Sequence, residues 1–149
     1  MADHVIKTLN HLIETSKNGQ KGFEAAADDT KNPELQQLFR NRAQDCAAGA
    51  AELQTVIAQL GGVPEDSGTV AGAVHRGWTN LKAAVAGRTD LAILEECERG
   101  EDVAKAAYAD ALKEPLPEEI RVIVERQNAG VVRNHDQIRD LRNRYKAAK

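Results

Sequence analysis

The sequence predicts an all-α protein, a four-helix bundle made of two helical hairpins that a long crossover joins. Apolar residues recur every three or four positions along four long segments, which is the periodicity of an amphipathic helix. Cap and breaker residues separate these segments. With 42% hydrophobic and only 3% aromatic residues, the chain suits one helical domain over residues 1–149.

The first hairpin is predicted over residues 3–60. Asp3 is a candidate cap for the first helix, and Asn32 caps a second helix whose first position is Pro33, where a missing N–H does no harm. A glycine pair ends the second helix. The inward stripe of helix 1 is predicted as Val5, Leu9, Leu12, Ile13, Ser16, Phe23 and Ala27. The inward stripe of helix 2 is predicted as Leu35, Phe39, Arg42, Cys46, Gly49, Leu53, Val56 and Leu60.

The second hairpin is predicted over residues 89–146. Thr89 begins the third helix, which ends before Pro115. The fourth helix starts at Pro117 and finishes in basic residues, which suit a helix C-terminus. Its inward stripe is predicted as Ile120, Val124, Gln127, Val131, Asn134, Ile138, Leu141 and Tyr145.

The second hairpin repeats the first in sequence. When helix 1 is laid on helix 3, Leu12-Ile13-Glu14 falls on Ile93-Leu94-Glu95. When helix 2 is laid on helix 4, Pro33-Glu34 falls on Pro117-Glu118. We therefore interpret the chain as two copies of one helical hairpin.

Residues 61–88 form the predicted crossover between the hairpins. Bundle helices are usually joined by about two to eight residues, so a connection this long indicates that the chain returns along the bundle. Helices two and three are then parallel, which is the route of ferritin-like bundles. Trp78, the only tryptophan, is predicted to plug one side or end of the bundle.

Charge and composition argue against several classes of function. A net charge of −3 gives no electrostatic reason to bind nucleic acid or an anionic membrane. The sequence shows neither a membrane-length apolar run nor a signal-peptide pattern, so we expect a cytoplasmic protein. Cys46 and Cys97 match no zinc or CxxC spacing and are expected to be buried thiols in a reducing compartment.

Four segments carry a resemblance to a known family. They read LGGVPEDSGT, HRGWTNLKAAV, ECERGEDVAKAAYADAL and NHDQIRDLR. In these segments, and over almost the whole chain, the sequence resembles a bacterial family of ferritin-like four-helix bundles of unknown function. The resemblance implies the fold and no particular reaction. Ferritin-like carboxylate proteins hold two irons with inward Glu residues and Glu-x-x-His motifs. That pattern is broken here, because helix 2 has no histidine and Val132 stands three residues before His135.

A buried polar layer is predicted near the middle of the bundle. Counting from the two hairpin turns places four polar residues at similar height: Gln20, Arg42, Glu101 and Gln127. Arg42 and Gln127 lie on otherwise apolar stripes. Because a charge in a core must be paired or protonated, we predict that Arg42 and Glu101 neutralise each other.

A second level, nearer the first hairpin turn, is a candidate metal site. The same count places Glu24, Glu98 and His135 at one height. Two carboxylates and an imidazole are ligands that iron, manganese or zinc accepts. The alternative is that His135 bonds a carboxylate while both Glu side chains are solvated. The neighbouring acids expected on the surface are Glu95, Glu96 and Asp102.

Three classes of function remain open on the sequence. The first is a non-enzymatic bundle that is stress-related or acts through a homo-oligomer, and the broken ligand pattern favours it. The second is a ferroxidase-like protein that binds iron or manganese through an incomplete carboxylate site. The third is a carrier of a small apolar ligand in a cavity beside small residues. Those small residues are Ala43, Ala47, Gly49, Ala50, Ala104 and Gly130.

Overall fold

The computed structural model of the chain describes residues 2–63 and 89–148. They form four α-helices: α1 (Ala2–Asp29), α2 (Pro33–Gln59), α3 (Asp90–Leu112) and α4 (Glu118–Ala147). The part of the chain that is described contains no strand. The predicted all-α class and its two hairpins are therefore confirmed.

Two of the predicted helix caps are present. The side chain of Asn32 accepts hydrogen bonds from two backbone N–H groups in the first turn of α2, and the Thr89 hydroxyl accepts one in the first turn of α3. The predicted Asp3 cap is wrong, because α1 already begins at Ala2 and Asp3 lies inside its first turn. An acid there still interacts favourably with the positive end of the helix dipole.

Contacts at the two ends of the bundle fix the directions of the helices. At one end the Thr30 hydroxyl, which follows α1, donates to Asp90 Oδ1 at the start of α3, 2.6 Å away. At the other end His4 Nε2, in α1, lies 3.1 Å from Glu114 Oε2, just beyond α3. α1 is therefore antiparallel to α3 and, through its hairpin, to α2. It follows that α2 and α3 are parallel, as predicted.

The end of α2 and the start of α3 lie at opposite ends of the bundle. Just after α2, Gly61 has φ 80°, a conformation that favours glycine and ends the helix. The carbonyl of Val63 then accepts from Asn10 Nδ2, near the start of α1. Residues 64–88, and with them Trp78, lie outside the described residues. The helix directions are those of ferritin-like bundles.

The apolar core consists of two clusters, one toward each end of the bundle. One cluster is centred on Leu9, Leu12, Ile13, Leu53, Ile57 and Val124. The other is centred on Phe23, Phe39, Ile93, Leu94, Cys97 and Ile138. All predicted inward positions of α1 are buried. The predicted stripe of α2 was one step too long, because Leu60 caps the helix and is exposed.

α1 and α2 approach closely at mid-height. A Cβ placed on Gly19 would lie 3.2 Å from Cys46 Sγ, tighter than an ordinary contact. Glycine therefore lets the two helices pack around the thiol. Buried polar side chains also lie at this level, between the two apolar clusters.

Candidate functional site

The buried polar side chains of the bundle gather at mid-height, between the two apolar clusters. All four helices contribute to this polar layer. Its buried members include Ser16, Asn18, Arg42, Glu101 and His135. Polar groups in a core lose their contacts with water and are costly when they have no partner. The Asn18 amide has no hydrogen-bond partner among the described residues.

Arg42 and Glu101 form the central contact of the layer. Arg42 Nη2 lies 3.0 Å from Glu101 Oε1, and the side chains are 6% and 3% exposed. Arg42 Nε also donates to Oε1, at 3.3 Å. On the outer side, Arg42 Nη1 donates to Asp45 Oδ2 at 3.0 Å. The guanidinium carbon lies 5.3 Å from the ring centroid of Phe23, a cation–π distance.

The two charges of this pair depend on each other. Burial disfavours the charged guanidinium, but Glu101, Cys46 and Asp45 together outweigh it, and the pKa of Arg42 is raised. Burial raises the pKa of Glu101, while the charge and the hydrogen bonds of Arg42 act against that rise. Removing either partner would leave a charge in the core without compensation.

Gln127 links the layer to the gap between α2 and α4. Its Oε1 accepts from the Tyr108 hydroxyl at 2.8 Å. Its Nε2 donates to the Gly49 carbonyl at 3.2 Å and to Glu52 Oε1 at 2.8 Å. The Tyr108 hydroxyl lies 3.4 Å from Ser16 Oγ. A hydrogen-bonded chain thus runs across the bundle from α1 to α2.

Gln20 does not join this layer, although its height was predicted to match. It is only half-buried, and its Nε2 donates to Glu24 on its own helix, at 3.5 Å. Both side chains border a cavity between α1 and α2, together with Arg40 and Gln44. Counting along the helix predicted the height of Gln20 but not the direction in which its side chain points.

The predicted metal ligands divide between two faces of the bundle. His135 is buried, and its Nε2 lies 4.0 Å from Glu98 Oε2. Glu24 is exposed and borders the cavity between α1 and α2. The structure therefore brings together two of the three predicted ligands.

The closest carboxylate partners of His135 are two residues that were not predicted as site residues. Its Nε2 lies 2.5 Å from Asp102 Oδ1, and its Nδ1 lies 3.2 Å from Asp136 Oδ1. An ionised carboxylate only accepts hydrogen bonds, so it bonds to a ring nitrogen that carries a proton. The bond from His135 lowers the pKa of Asp136. Glu98 is paired with another residue of α4, since its Oε1 lies 2.5 Å from Arg142 Nη1.

These contacts leave little room for an ion beside His135. A metal ion between Nε2 and Oδ1 would need about 2 Å on each side, more than the observed separation provides. Over residues 2–63 and 89–148, no group of three or more His, Cys, Asp and Glu side chains is arranged to hold a metal ion.

The acids at the start of α3 face in different directions. Glu101 points inward, Glu98 is largely covered, and Glu95 and Asp102 are exposed. The expectation that Glu96 lies on the surface is wrong, since it is only 7% exposed and pairs with Arg99. It is buried together with its helix neighbours Cys97 and Gly100, so apolar content alone did not define the buried face.

Neither Tyr108 nor Asp45 was predicted from the sequence as a site residue. Tyr108 stands seven residues after Glu101, two helical turns along the same face, and this spacing was a usable signal. Asp45 stands three residues after Arg42, where an acid reaches an arginine on the helix surface. Asp102 bonds across to α4, and nothing in its local sequence indicates that partner.

The helix directions and the polar mid-layer define a ferritin-like four-helix bundle. The chain belongs to a family described as a domain of unknown function (DUF2383), whose model matches residues 4–114. No curated protein matches the chain.

The fold is also found among solved structures. A mutant of Mycobacterium smegmatis Dps1 is similar, with a TM-score of 0.78 and 16% sequence identity. The match covers 93% of this chain and 95% of that one. At this identity the likeness establishes the fold alone. Within the described ranges, no helix combines the length and the apolar character needed to span a membrane.

The buried ion pair makes a testable prediction about stability. Glu101→Ala should lower the free energy of unfolding by about 3–5 kcal/mol, because Arg42 stays charged and loses its buried partner. The double change Arg42→Met with Glu101→Leu should recover much of this loss. Urea denaturation measures the free energy of unfolding of the parent and of each variant. Asp45→Ala is the matched control, since it removes only the outer partner, which is 66% exposed, and should cost less than about 1 kcal/mol. Equal losses for Glu101→Ala and Asp45→Ala would contradict the central role of Glu101.

The buried thiol and phenol of the layer predict a loss of stability in alkali. Burial raises the pKa of Cys46 to about 12 and that of Tyr108 to about 12. In the unfolded chain these groups ionise near about pH 8.5 and 10. Their contribution is therefore complete below about pH 8.5 and is lost as the pH rises toward 12. Urea midpoints measured from pH 8 to 11 should fall, and should fall less steeply in Cys46→Ser. If the urea midpoint fell equally steeply with pH in the parent and in Cys46→Ser, the raised pKa of Cys46 would be contradicted.

Proposed function

We propose that this protein is a non-enzymatic ferritin-like bundle, cytoplasmic and without a nucleic-acid partner, that acts by associating with other copies of itself. The observation that carries the proposal is the Arg42–Glu101 pair, 3.0 Å apart at mid-height in the core. Ferritin-like carboxylate proteins place inward carboxylates around metal ions in the bundle core. Here the inward carboxylate of Glu101 faces a guanidinium, which supplies the positive charge.

A built-in cation argues against redox chemistry at this position. A guanidinium cannot change oxidation state, and it cannot be deprotonated under ordinary conditions. Its three bonds to carboxylates hold Arg42 in place. The centre of the bundle is therefore suited to fixing the register of the helices, which is the best-attested use of a buried polar group.

Association with other copies is supported by apolar residues on the surface. Val122 is 52% exposed, Val63 is 84% exposed and Leu60 is 36% exposed. All three lie at the end of the bundle where α2 finishes and α4 begins. Exposed apolar side chains at one end of the bundle are available for contacts with another protein molecule. A role in stress, which the sequence left open, belongs to the same proposal.

Metal binding is a second candidate function, and one distance favours it. Glu98 Oε2 and His135 Nε2 are 4.0 Å apart, close to the separation of two ligands of one divalent ion. An ion would have to displace the contacts of His135 with Asp102 and of Glu98 with Arg142. Iron or manganese would therefore compete with these existing contacts.

The metal alternative is tested on protein purified without chelators. We expect no stoichiometric iron or manganese by elemental analysis, and no oxidation of ferrous iron faster than in buffer after anaerobic loading and exposure to oxygen. Variants His135→Ala and Glu98→Ala should behave like the parent, as should Glu95→Ala, an exposed acid on the same helix. Metal that is present in the parent and in Glu95→Ala but lost from the other two would establish the metal site instead.

The association itself is tested by sedimentation velocity over a wide range of protein concentration. We expect a dimer or larger assembly that weakens in Val122→Asp, because the change places a charge on the apolar surface. Circular dichroism shows whether the variant is still folded. A monomer at every concentration would contradict the proposal, and an assembly that Val122→Asp leaves intact would place the interface elsewhere.

A further inference from the structure

A cavity of about 240 Å³ lies between α2 and α4 and reaches inward to the polar layer. We call it the α2/α4 cleft. Its walls include Arg42, Asp45 and Cys46 from α2, Tyr108 from α3, and Gln127 and Arg133 from α4. At about 30 Å³ for each water molecule in the liquid, the volume matches roughly eight waters. This is room enough for a small organic molecule.

Two glycines keep the cleft open. Gly49 on α2 and Gly130 on α4 both line it. A Cβ on Gly49 would meet Gln127 at 3.6 Å, and a Cβ on Gly130 would meet Arg133 at 3.7 Å, both ordinary contacts. Larger side chains would therefore extend into the cleft rather than clash with the backbone. The helix geometry tolerates alanine here, yet both positions carry the poorer helix former.

Arg42 presents a donor edge to the cleft that is only partly occupied. A guanidinium has five N–H donors, and three of them have partners within the described chain, two on Glu101 and one on Asp45. Glu101 occupies the inner edge, formed by Nε and Nη2. The outer edge, formed by Nη1 and Nη2, matches the two oxygens of a planar carboxylate.

Asp45 occupies part of this outer edge from outside. Its side chain is 66% exposed while that of Arg42 is 6% exposed. An exposed acid can turn into water without leaving an unpaired group in the core. Asp45 thus shows which chemistry the outer edge accepts, and a carboxylate inside the cleft would take its place.

Arg133 adds a second positive charge to the cleft. It lines the cavity and is exposed, and it makes no ion pair with any residue of the described ranges. The other polar groups inside carry no opposing charge, because burial raises the pKa of Cys46 and of Tyr108 to about 12 and keeps both protonated at neutral pH. Among the described residues, Asp45 is the one acid that borders the cavity.

We propose that the α2/α4 cleft binds a small organic carboxylate. Its two oxygens bond to the outer edge of Arg42 in place of Asp45, Arg133 holds it from the mouth, and its short carbon tail packs on Val131, Cys46 and the two glycines. This site is independent of the association proposed above. Of the six small residues expected to border a cavity, Gly49 and Gly130 line this cleft. Its lining selects a charged ligand rather than an apolar one.

The test is a titration of the full chain with sodium butyrate, followed by NMR of the backbone amides and of arginine Nε–H. We expect saturable shifts at Gly49, Gly130 and Arg42. Butyramide, which has the same shape without the charge, should give none. Equal binding of both compounds would overturn the carboxylate assignment. Inorganic phosphate binding as well as butyrate does would overturn it also, in favour of a general anion site.

Variants distinguish binding inside the cleft from weak binding at the protein surface. Asp45→Ala should bind butyrate about two- to fivefold more tightly, because it removes the competing carboxylate, and Arg133→Ala should bind it more weakly by a similar factor. The matched control is Arg144→Ala, an exposed arginine on α4 away from the cleft. Gly130→Leu should abolish binding by filling the cleft, with its circular dichroism confirming a folded bundle. Shifts unaffected by Gly130→Leu, or weaker binding in Asp45→Ala, would refute the proposal.

Discussion

The Arg42–Glu101 pair is the contact on which the rest of the bundle depends. It joins α2 to α3, the two helices that the crossover connects and that no tight turn holds together. Apolar packing is tolerant of small slips along a helix, whereas a buried charge is not, because moving it by one turn would leave it without a partner. The pair therefore fixes the relative height of the two hairpins, and the apolar clusters on either side pack around that register.

Beside this pair, the middle of the bundle is open on one side. Among the helix pairs in contact, α2 and α4 touch least. Their facing positions at mid-height are Gly49 and Gly130, and Gln127 crosses the gap to reach the Gly49 carbonyl. The Arg42 guanidinium is thus satisfied from inside by Glu101 while its outer edge meets the cleft. A layer that specifies the fold also provides the chemistry for binding.

The ferritin-like fold sets where inward charges go but leaves open what neutralises them. In this chain α2 supplies an arginine to the core, and the carboxylates near His135 are already engaged with the ring or with Arg142. The family to which the chain belongs is described as a domain of unknown function, and the likeness to Dps1 establishes the fold alone. Function must therefore be sought in the polar layer and its cleft.

The sequence by itself determined the four helices, two of their caps and the pairing of Arg42 with Glu101. Periodicity and cap residues are local signals, and a charge on an apolar stripe needs an opposite charge at the same height. Only the tertiary structure decided the rotation of each helix. That rotation turns Gln20 and Glu24 away from the layer and buries Glu96. It also brings His135 into contact with Asp102. Residues one position apart on a helix differ by about 100° in direction, so a height counted along the chain cannot show which way a side chain points.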